Sequence, residues 1–305
     1  MQECIEVMAS LFCAIARGEV VQPLRTVVRI PNSANVLASM PGWIATPSAA
    51  GAKVITVYPG NHGTTRDAHQ GAVLLFDRNT GTLSAVVDAT SITRIRTAAA
   101  SAVATRALAR ADARSLALIG AGVQARAHLE AIRLVRPIER VRVWSRSTEH
   151  ARALAAEVGA NNQPDVVVAT SARDAVDGAD IVCTVTSSPT PVLEGAWIAD
   201  GAHVNAVGAC LPHTREVDTT GVVRSSLFVD RRESTLNEAG DVLIPIKEGA
   251  ITAEHIRAEV GEVLVGGHAG RASEREITLF KSLGLAVEDL AAAAHVLEQA
   301  RAASH

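Results

Sequence analysis

The residues best placed by type and spacing to do chemistry are Gly120-Ala121-Gly122-Val123-Gln124-Ala125, which fit the pattern G-x-G-x-x-A. Ser115–Ile119 ahead of them is a short apolar run that reads as a buried strand. The Ala-rich stretch from Val123 to Val135 reads as a helix. Strand, glycine turn and helix form the setting in which this pattern binds a dinucleotide. Gly120 permits the tight turn and Gly122 lets the backbone approach a pyrophosphate. Ala125 lets the helix sit close to the sheet, and the helix N-terminus at Val123 and Gln124 faces the phosphates. The end of the next strand, Val141–Trp144, selects between dinucleotides. An acidic residue there would hold the ribose 2′-hydroxyl of NAD. The chain reads Ser145-Arg146-Ser147 instead. A guanidinium and two hydroxyls suit a 2′-phosphate, so NADPH is expected; NADH is the alternative if Arg146 only stacks on adenine. Thr184 and Thr186, in Thr184-Val185-Thr186-Ser187-Ser188-Pro189, follow a further apolar strand. Hydroxyls and free backbone groups at such a strand end lie where a ligand binds, although a plain polar loop would read the same.

A second set of candidates is basic. Arg25 follows Pro23-Leu24, Lys53 sits in Gly51-Ala52-Lys53-Val54, and Arg96 interrupts Arg94-Ile95-Arg96-Thr97-Ala98-Ala99. Lys53 begins a strand otherwise made of apolar residues and Thr, and an amine buried there needs an anionic partner. Three such groups converging on one pocket would bind a carboxylate, with arginine giving a bidentate clamp. Spacing leaves another reading open, in which Arg25 and Arg96 are surface charges and Lys53 pairs with Asp67 or Asp88.

The elements that must position these residues fall into two groups. Ile5, Met8, Leu11, Phe12 and Ile15 mark an amphipathic helix over residues 2–17 that Gly18 ends. Short strands follow at Thr26–Ile30, Val36–Met40, Ala52–Tyr58, Gly71–Asp77 and Thr82–Val87. Pro31-Asn32, Pro41-Gly42, Pro59-Gly60-Asn61 and the hairpin signal Asp77–Gly81 separate them. This is a mainly antiparallel sheet. A long Ala-rich helix runs from Thr90 to about Ala109. Alternating strands and helices then occupy residues 115–185, and strands Ala202–Val207 and Ser226–Val229 complete an open parallel sheet. From Thr278 to Arg301 the chain reads as one terminal helix that packs back onto the first domain. The expected fold is α/β: a Rossmann, doubly wound parallel sheet at 111–274, plus a discontinuous α+β substrate and dimerisation domain from residues 1–110 and 275–305.

Composition sets limits. The chain has 305 residues, 48% of them hydrophobic but only 3% aromatic, so its cores must be Ala, Val, Leu and Ile. A net charge of −3 without a long basic run argues against nucleic acid. Apolar stretches are interrupted well short of a membrane span, and the N-terminus carries Glu3 and Glu6 rather than a basic leader. The four cysteines show no CxxC or zinc spacing and the ten histidines are scattered, so no metal is expected. A reduced, cytoplasmic protein is the simplest reading.

Taken together, several ordered stretches resemble the ornithine cyclodeaminase/μ-crystallin family over nearly the whole chain. They are Pro23-Leu24-Arg25-Thr26, Gly51-Ala52-Lys53, His69-Gln70-Gly71, Arg96–Ala102, Gly120–Ala125, His203–Ala209, Arg215-Glu216-Val217-Asp218, Glu238-Ala239-Gly240-Asp241 and Phe280–Asp289. The resemblance implies a homodimer. It also places Arg25, Lys53 and Arg96 at the substrate carboxylate, with Lys53 near the reacting centre. Val207 and Gly208 join Thr184 and Thr186 on the cofactor side. Family members usually begin with an extra strand and helix ahead of the helix that opens this chain. Cyclodeaminases and archaeal alanine dehydrogenases carry an aspartate acid/base shortly after the Val-Gly pair. Here Cys210 stands in its place, and a neutral thiol cannot act as a carboxylate base. The pattern is more similar to the ketimine reductases, including Δ1-pyrroline-2-carboxylate reductases, whose substrate is a cyclic imino acid. The implied activity is NAD(P)H-dependent reduction of Δ1-pyrroline-2-carboxylate to L-proline, or of Δ1-piperideine-2-carboxylate to L-pipecolate. Ornithine cyclodeamination with bound NAD, amino-acid dehydrogenation and a non-enzymatic crystallin-like binding role are the alternatives. No role is assigned to His213.

Overall fold

Two sheets of opposite character divide the chain. The computed structural model describes residues 1–61, 64–159 and 164–303. One compact unit comprises Glu3–Arg96 with Gly284–His305; the other comprises Thr97–Leu283 with Met1–Gln2. Residues 97–110 and 275–283 therefore group with the parallel sheet.

In the first unit, α1 (Gln2–Ala16) buries Ile5, Met8, Leu11 and Phe12, and Gly18 follows it at φ +72°. Then come β1 (Val20–Val21), β2 (Thr26–Arg29), β3 (Val36–Ile44), β4 (Ala49–Val57), β5 (His69–Phe76) and β6 (Leu83–Asp88). The strands pair antiparallel in the order β1-β3-β4-β5-β6, with β2 also on β3. The expected break at Pro41-Gly42 does not occur, because β3 runs through it. Pro41 falls between the registers of β1 and β2, where that side of β3 has no paired strand and a missing N–H is tolerated. The hairpin signal at Asp77–Gly81 is a turn in which Asp77 Oδ1 accepts from Asn79 N and Thr80 N. Helix α2 (Ala89–Leu108) leaves β6 at once, capped by Asp88, whose Oδ2 accepts from Ser91 N at 2.7 Å.

In the second unit, strands and helices alternate as β7 (Ser115–Ile119), α3 (Val123–Arg133), β8 (Arg140–Trp144), α4 (Thr148–Gly159), β9 (Asp165–Val168), α5 (Ala172–Val176) and β10 (Ile181–Thr184). There follow β11 (His203–Ala206), α6 (Thr219–Arg224), β12 (Ser226–Val229), α7 (Arg232–Glu238), α8 (Gly240–Lys247), β13 (Ile256–Glu259), α9 (Val260–Leu264) and β14 (Thr278–Lys281). Among the described residues these eight strands are parallel, in the order β13-β12-β14-β11-β10-β7-β8-β9.

Two of these strands correct the sequence reading. Ile256–Glu259 is the edge strand β13. Thr278–Lys281, expected to open the terminal helix, is β14, seated between β11 and β12. Four residues are too few to show a period, and Thr278–Lys281 is buried on both faces, so nothing local separates strand from helix there. The terminal helix α10 (Ala286–Ala302) starts eight residues later than expected, belongs to the first unit, and packs across β3, β4 and β5. Among the described residues no helix is long and apolar enough to cross a membrane.

The parallel unit buries two histidines in their neutral form. His128 donates through Nδ1 to Gln124 O at 2.8 Å, and its Nε2 accepts from the Ser101 hydroxyl at 2.9 Å. Burial pushes its pKa down from 6.5 to about 4, and that of His203 down to about 3. Between pH 6.5 and 4 the unfolded chain therefore holds more protons than the folded one, so stability falls as pH drops through that window. Urea unfolding at pH 7 and pH 5 should show a loss of about 2 kcal/mol per histidine. A His128→Gln variant should remove about half of that pH dependence.

Candidate active site

The strand order reverses between β7 and β10: β8 and β9 extend the sheet on one side, and β11 lies on the other. Ligands of open parallel sheets bind at the carboxyl ends of strands at such a reversal. Gly120 lies there at φ +122°, a conformation that disfavours a side chain, and an added Cβ would sit 2.8 Å from Val185 O. Gly122 caps α3 with no side-chain hydrogen bond, and an added Cβ there would meet nothing within 4 Å. Open space thus lies over a helix N-terminus whose first amides have no capping side chain, and a pyrophosphate fits that feature. Val123 is exposed, Gln124 half-buried and Ala125 fully buried beneath them.

At the end of β8 the two serines serve the local turn. Ser145 Oγ accepts from Ser147 N at 3.3 Å, and Ser147 Oγ accepts from His150 N at 3.3 Å, opening α4. Arg146 is exposed and makes no ion pair or hydrogen bond among the described residues. At the end of β10, Thr184 is buried with its hydroxyl unpartnered among the described residues. Thr186 donates from N (2.6 Å) and Oγ1 (2.5 Å) to Glu216 Oε1, and Gly208 N donates to Glu216 Oε2 at 2.7 Å. Val207 N donates to Thr184 O at 3.0 Å, tying the ends of β10 and β11. The Cys210 thiol points to backbone carbonyls, 3.6 Å from Val207 O and 3.8 Å from Leu283 O. His213 is exposed.

The antiparallel unit gathers the basic candidates. Lys53 lies in the middle strand β4, opposite Met40 and Val73, and is 3% exposed. Its Nζ is 2.8 Å from Asp289 Oδ1 and 2.6 Å from Thr93 Oγ1. Arg96 Nε reaches the same Asp289 oxygen at 3.1 Å, and its NH1 reaches Glu288 Oε2 at 2.5 Å. Arg25 is half-buried and donates to Gly284 O at 3.2 Å. Gly284 lies at φ +78°, and an added Cβ would sit 2.5 Å from Arg96 NH1, so its bare backbone lets both arginines approach. Lys53 and Arg96 thus meet on one carboxylate, and Gly284 brings Arg25 to the same cluster. The pairing of Lys53 with Asp67 or Asp88 does not occur, since Asp88 caps α2 and Asp289 takes the amine. The adjacent cations hold the Asp289 carboxyl below its ordinary range against the opposing effect of burial. Burial depresses the Lys53 ammonium, partly offset by Asp289.

The profile of the ornithine cyclodeaminase/mu-crystallin family matches residues 1–304. The chain belongs to this family. It is 44% identical over 276 residues to the ketimine reductase mu-crystallin of Mus musculus, covering 90% of this chain and 84% of that protein. Δ1-Pyrroline-2-carboxylate reductase of Thermococcus litoralis, solved in complex with NADH and L-proline, superposes with a TM-score of 0.97 at 39% identity. That match covers 100% of this chain and 94% of the other. An archaeal alanine dehydrogenase dimer with bound NAD superposes at 0.94 with 30% identity, covering 100% and 93%.

Within this family member, sequence reasoning missed the acidic halves of both constellations. Glu288 and Asp289 stand in an otherwise Ala-, Leu- and Val-rich segment. A charge in apolar surroundings needs a partner, and that signal points to both of them as it does to Lys53. Glu216, Asp241 and Lys281, all buried, give no local signal. Removing one partner of a buried pair strands the other charge, so Asp289→Ala should cost about 3–5 kcal/mol in denaturant unfolding. Asp67→Ala should be close to silent in the same experiment.

Proposed function

We propose that the protein reduces the C=N bond of a cyclic ketimine acid with NAD(P)H. Δ1-Pyrroline-2-carboxylate to L-proline is the preferred reaction, and Δ1-piperideine-2-carboxylate to L-pipecolate the second. The observation that carries this reading is the loop from Val207 to Glu216. Cyclodeamination requires a base there, but Cys210 is held against two backbone carbonyls. The loop's single carboxylate, Glu216, is buried and committed to Thr186 and Gly208. Imine reduction needs far less, because the imine can arrive protonated and positioning supplies much of the rate. The activities of the mouse and Thermococcus relatives support the same choice.

In this reading the antiparallel unit is the substrate domain and the parallel unit the cofactor domain. The nicotinamide, when bound, supplies the hydride. Gly120, Gly122, Val123, Gln124 and Ala125 receive the pyrophosphate, while Thr184, Thr186, Val207 and Gly208 shape the nicotinamide side. Ser145, Arg146 and Ser147 face the adenosine ribose. Arg146, exposed and unpaired, favours NADPH over NADH. Arg25, Lys53 and Arg96 bind the substrate carboxylate. Two of these cations already face Glu288 and Asp289, and Arg25, half-buried on Gly284 O, adds a third positive charge to the cluster. Lys53 has a third N–H beyond those given to Thr93 and Asp289, and we assign it to the substrate near the reacting nitrogen. A homodimer accompanies this reading, supported by exposed Val21, Val27, Val28 and Val86 in the antiparallel unit and by the dimeric alanine dehydrogenase. The four free cysteines fit a reducing, cytoplasmic setting.

The direct test is oxidation of NADPH and of NADH by the purified protein with Δ1-pyrroline-2-carboxylate, run beside ornithine deamination. Cofactor oxidation with proline formed is expected. Ammonia from ornithine without imine reduction would overturn the reading. Arg25→Leu tests the clamp best, because Arg25 is half-buried whereas Lys53 and Arg96 are enclosed. It should lower kcat/KM for the imino acid about 100-fold. Arg146→Ala should raise the KM for NADPH about tenfold and leave that for NADH unchanged.

A further inference from the structure

Glu216 is fully buried in the parallel unit, on the loop that follows β11, and its carboxylate spans two strand ends. One oxygen takes both the amide and the hydroxyl of Thr186, just past β10; the other takes the amide of Gly208, just past β11. Gly208 must lack a side chain for this to happen, since an added Cβ would lie 2.6 Å from the Glu216 carboxyl carbon. The Glu216 segment is itself anchored. Asp241 Oδ1 accepts from Glu216 N (2.9 Å) and Val217 N (3.0 Å), and Asp241 Oδ2 is ion-paired with the buried Lys281 of β14 at 2.9 Å. Two strand ends therefore meet on the Glu216 carboxylate at the strand reversal where the cofactor site is proposed, and Asp241 with Lys281 anchors the backbone that carries it. An ionised group buried at this expense, with three donors aimed at it, fixes backbone geometry more tightly than apolar packing would.

We propose that Glu216 is a positioning residue. It sets the spacing of the β10 and β11 ends so that Thr186 and Gly208 present a preformed surface to the nicotinamide half of the cofactor, and Asp241 with Lys281 serves only to hold the Glu216 segment in place. This rests on the cofactor site described above. A glutamine at 216 keeps the size but turns an NH2 toward one of the N–H donors, so one strand end is released.

The test measures NADH and NADPH binding to wild type, Glu216→Gln and Asp241→Asn by cofactor fluorescence. Thermal unfolding and hydrogen–deuterium exchange of the cofactor-free proteins accompany it. Glu216→Gln should weaken cofactor binding about tenfold and speed exchange in peptides covering Thr186 and Gly208. Asp241→Asn keeps the acceptor toward Glu216 and removes the charge facing Lys281. It should lower the Tm yet leave cofactor affinity within about twofold. If Glu216→Gln does not fold, Glu216→Asp keeps the charge, shortens the reach, and carries the same expectation. Equal cofactor affinity in wild type and the folded Glu216 variant would overturn the positioning role while leaving the reductase reading intact. Equal weakening in both the Glu216 and Asp241 variants would reduce the network to a structural one. Failure of wild type to bind either cofactor would sink the cofactor site and this inference together.

Discussion

Asp289 Oδ1 accepts from the Lys53 ammonium, the Arg96 guanidinium and, at 3.3 Å, the Thr93 hydroxyl, and this one oxygen organises the antiparallel unit. Burying an ion without a partner costs several kcal/mol, so a charge at the centre of β4 is stable only if α10 brings a carboxylate to it. That requirement fixes how α10 lies on the sheet. It also explains why the chain returns to its first unit after completing the parallel sheet. Lys53 and Arg96 are consequently held rigidly in advance of any ligand. A side chain already immobilised by packing and ion pairing loses little further entropy when a substrate binds.

The parallel unit obeys the same constraint with different residues. Lys281 and Asp241 are both essentially inaccessible and neutralise each other, and Asp241 in turn holds the Glu216 segment. Around these groups the core is Ala, Val, Leu and Ile, with Phe228 and Phe280 as its large aromatic members. Such a core packs the strands but says little about the fine spacing of their ends. Directional, charge-assisted bonds supply that spacing where the cofactor is proposed to lie.

How legible this was in the sequence depended on range. Local signals worked: the glycine fingerprint with its flanking strand and helix, the Asp77–Gly81 turn, the amphipathic α1, and the alternation that gave the doubly wound sheet. Tertiary compensation was invisible. Pro41 looked like a break because the gap in pairing beside β3 is set by strands distant in sequence. Thr278–Lys281 reads as the start of the terminal helix, and Asp241, forty residues earlier, is what neutralises Lys281 inside the sheet. The basic half of the carboxylate cluster was found because each cation interrupts an apolar context. Its acidic half went unread, though Glu288 and Asp289 stood among residues already matched to the family.

In the proposed reaction hydride passes directly to an imine carbon without help from a carboxylate at position 210. The most direct measurement is to supply NADPH or NADH carrying deuterium at both C4 positions of the nicotinamide, with Δ1-pyrroline-2-carboxylate, and locate the label in the product. Proline carrying one deuterium at its α-carbon, formed at a similar rate by Cys210→Ser, is expected. Unlabelled product, or loss of turnover in a folded Cys210→Ser protein, would contradict it.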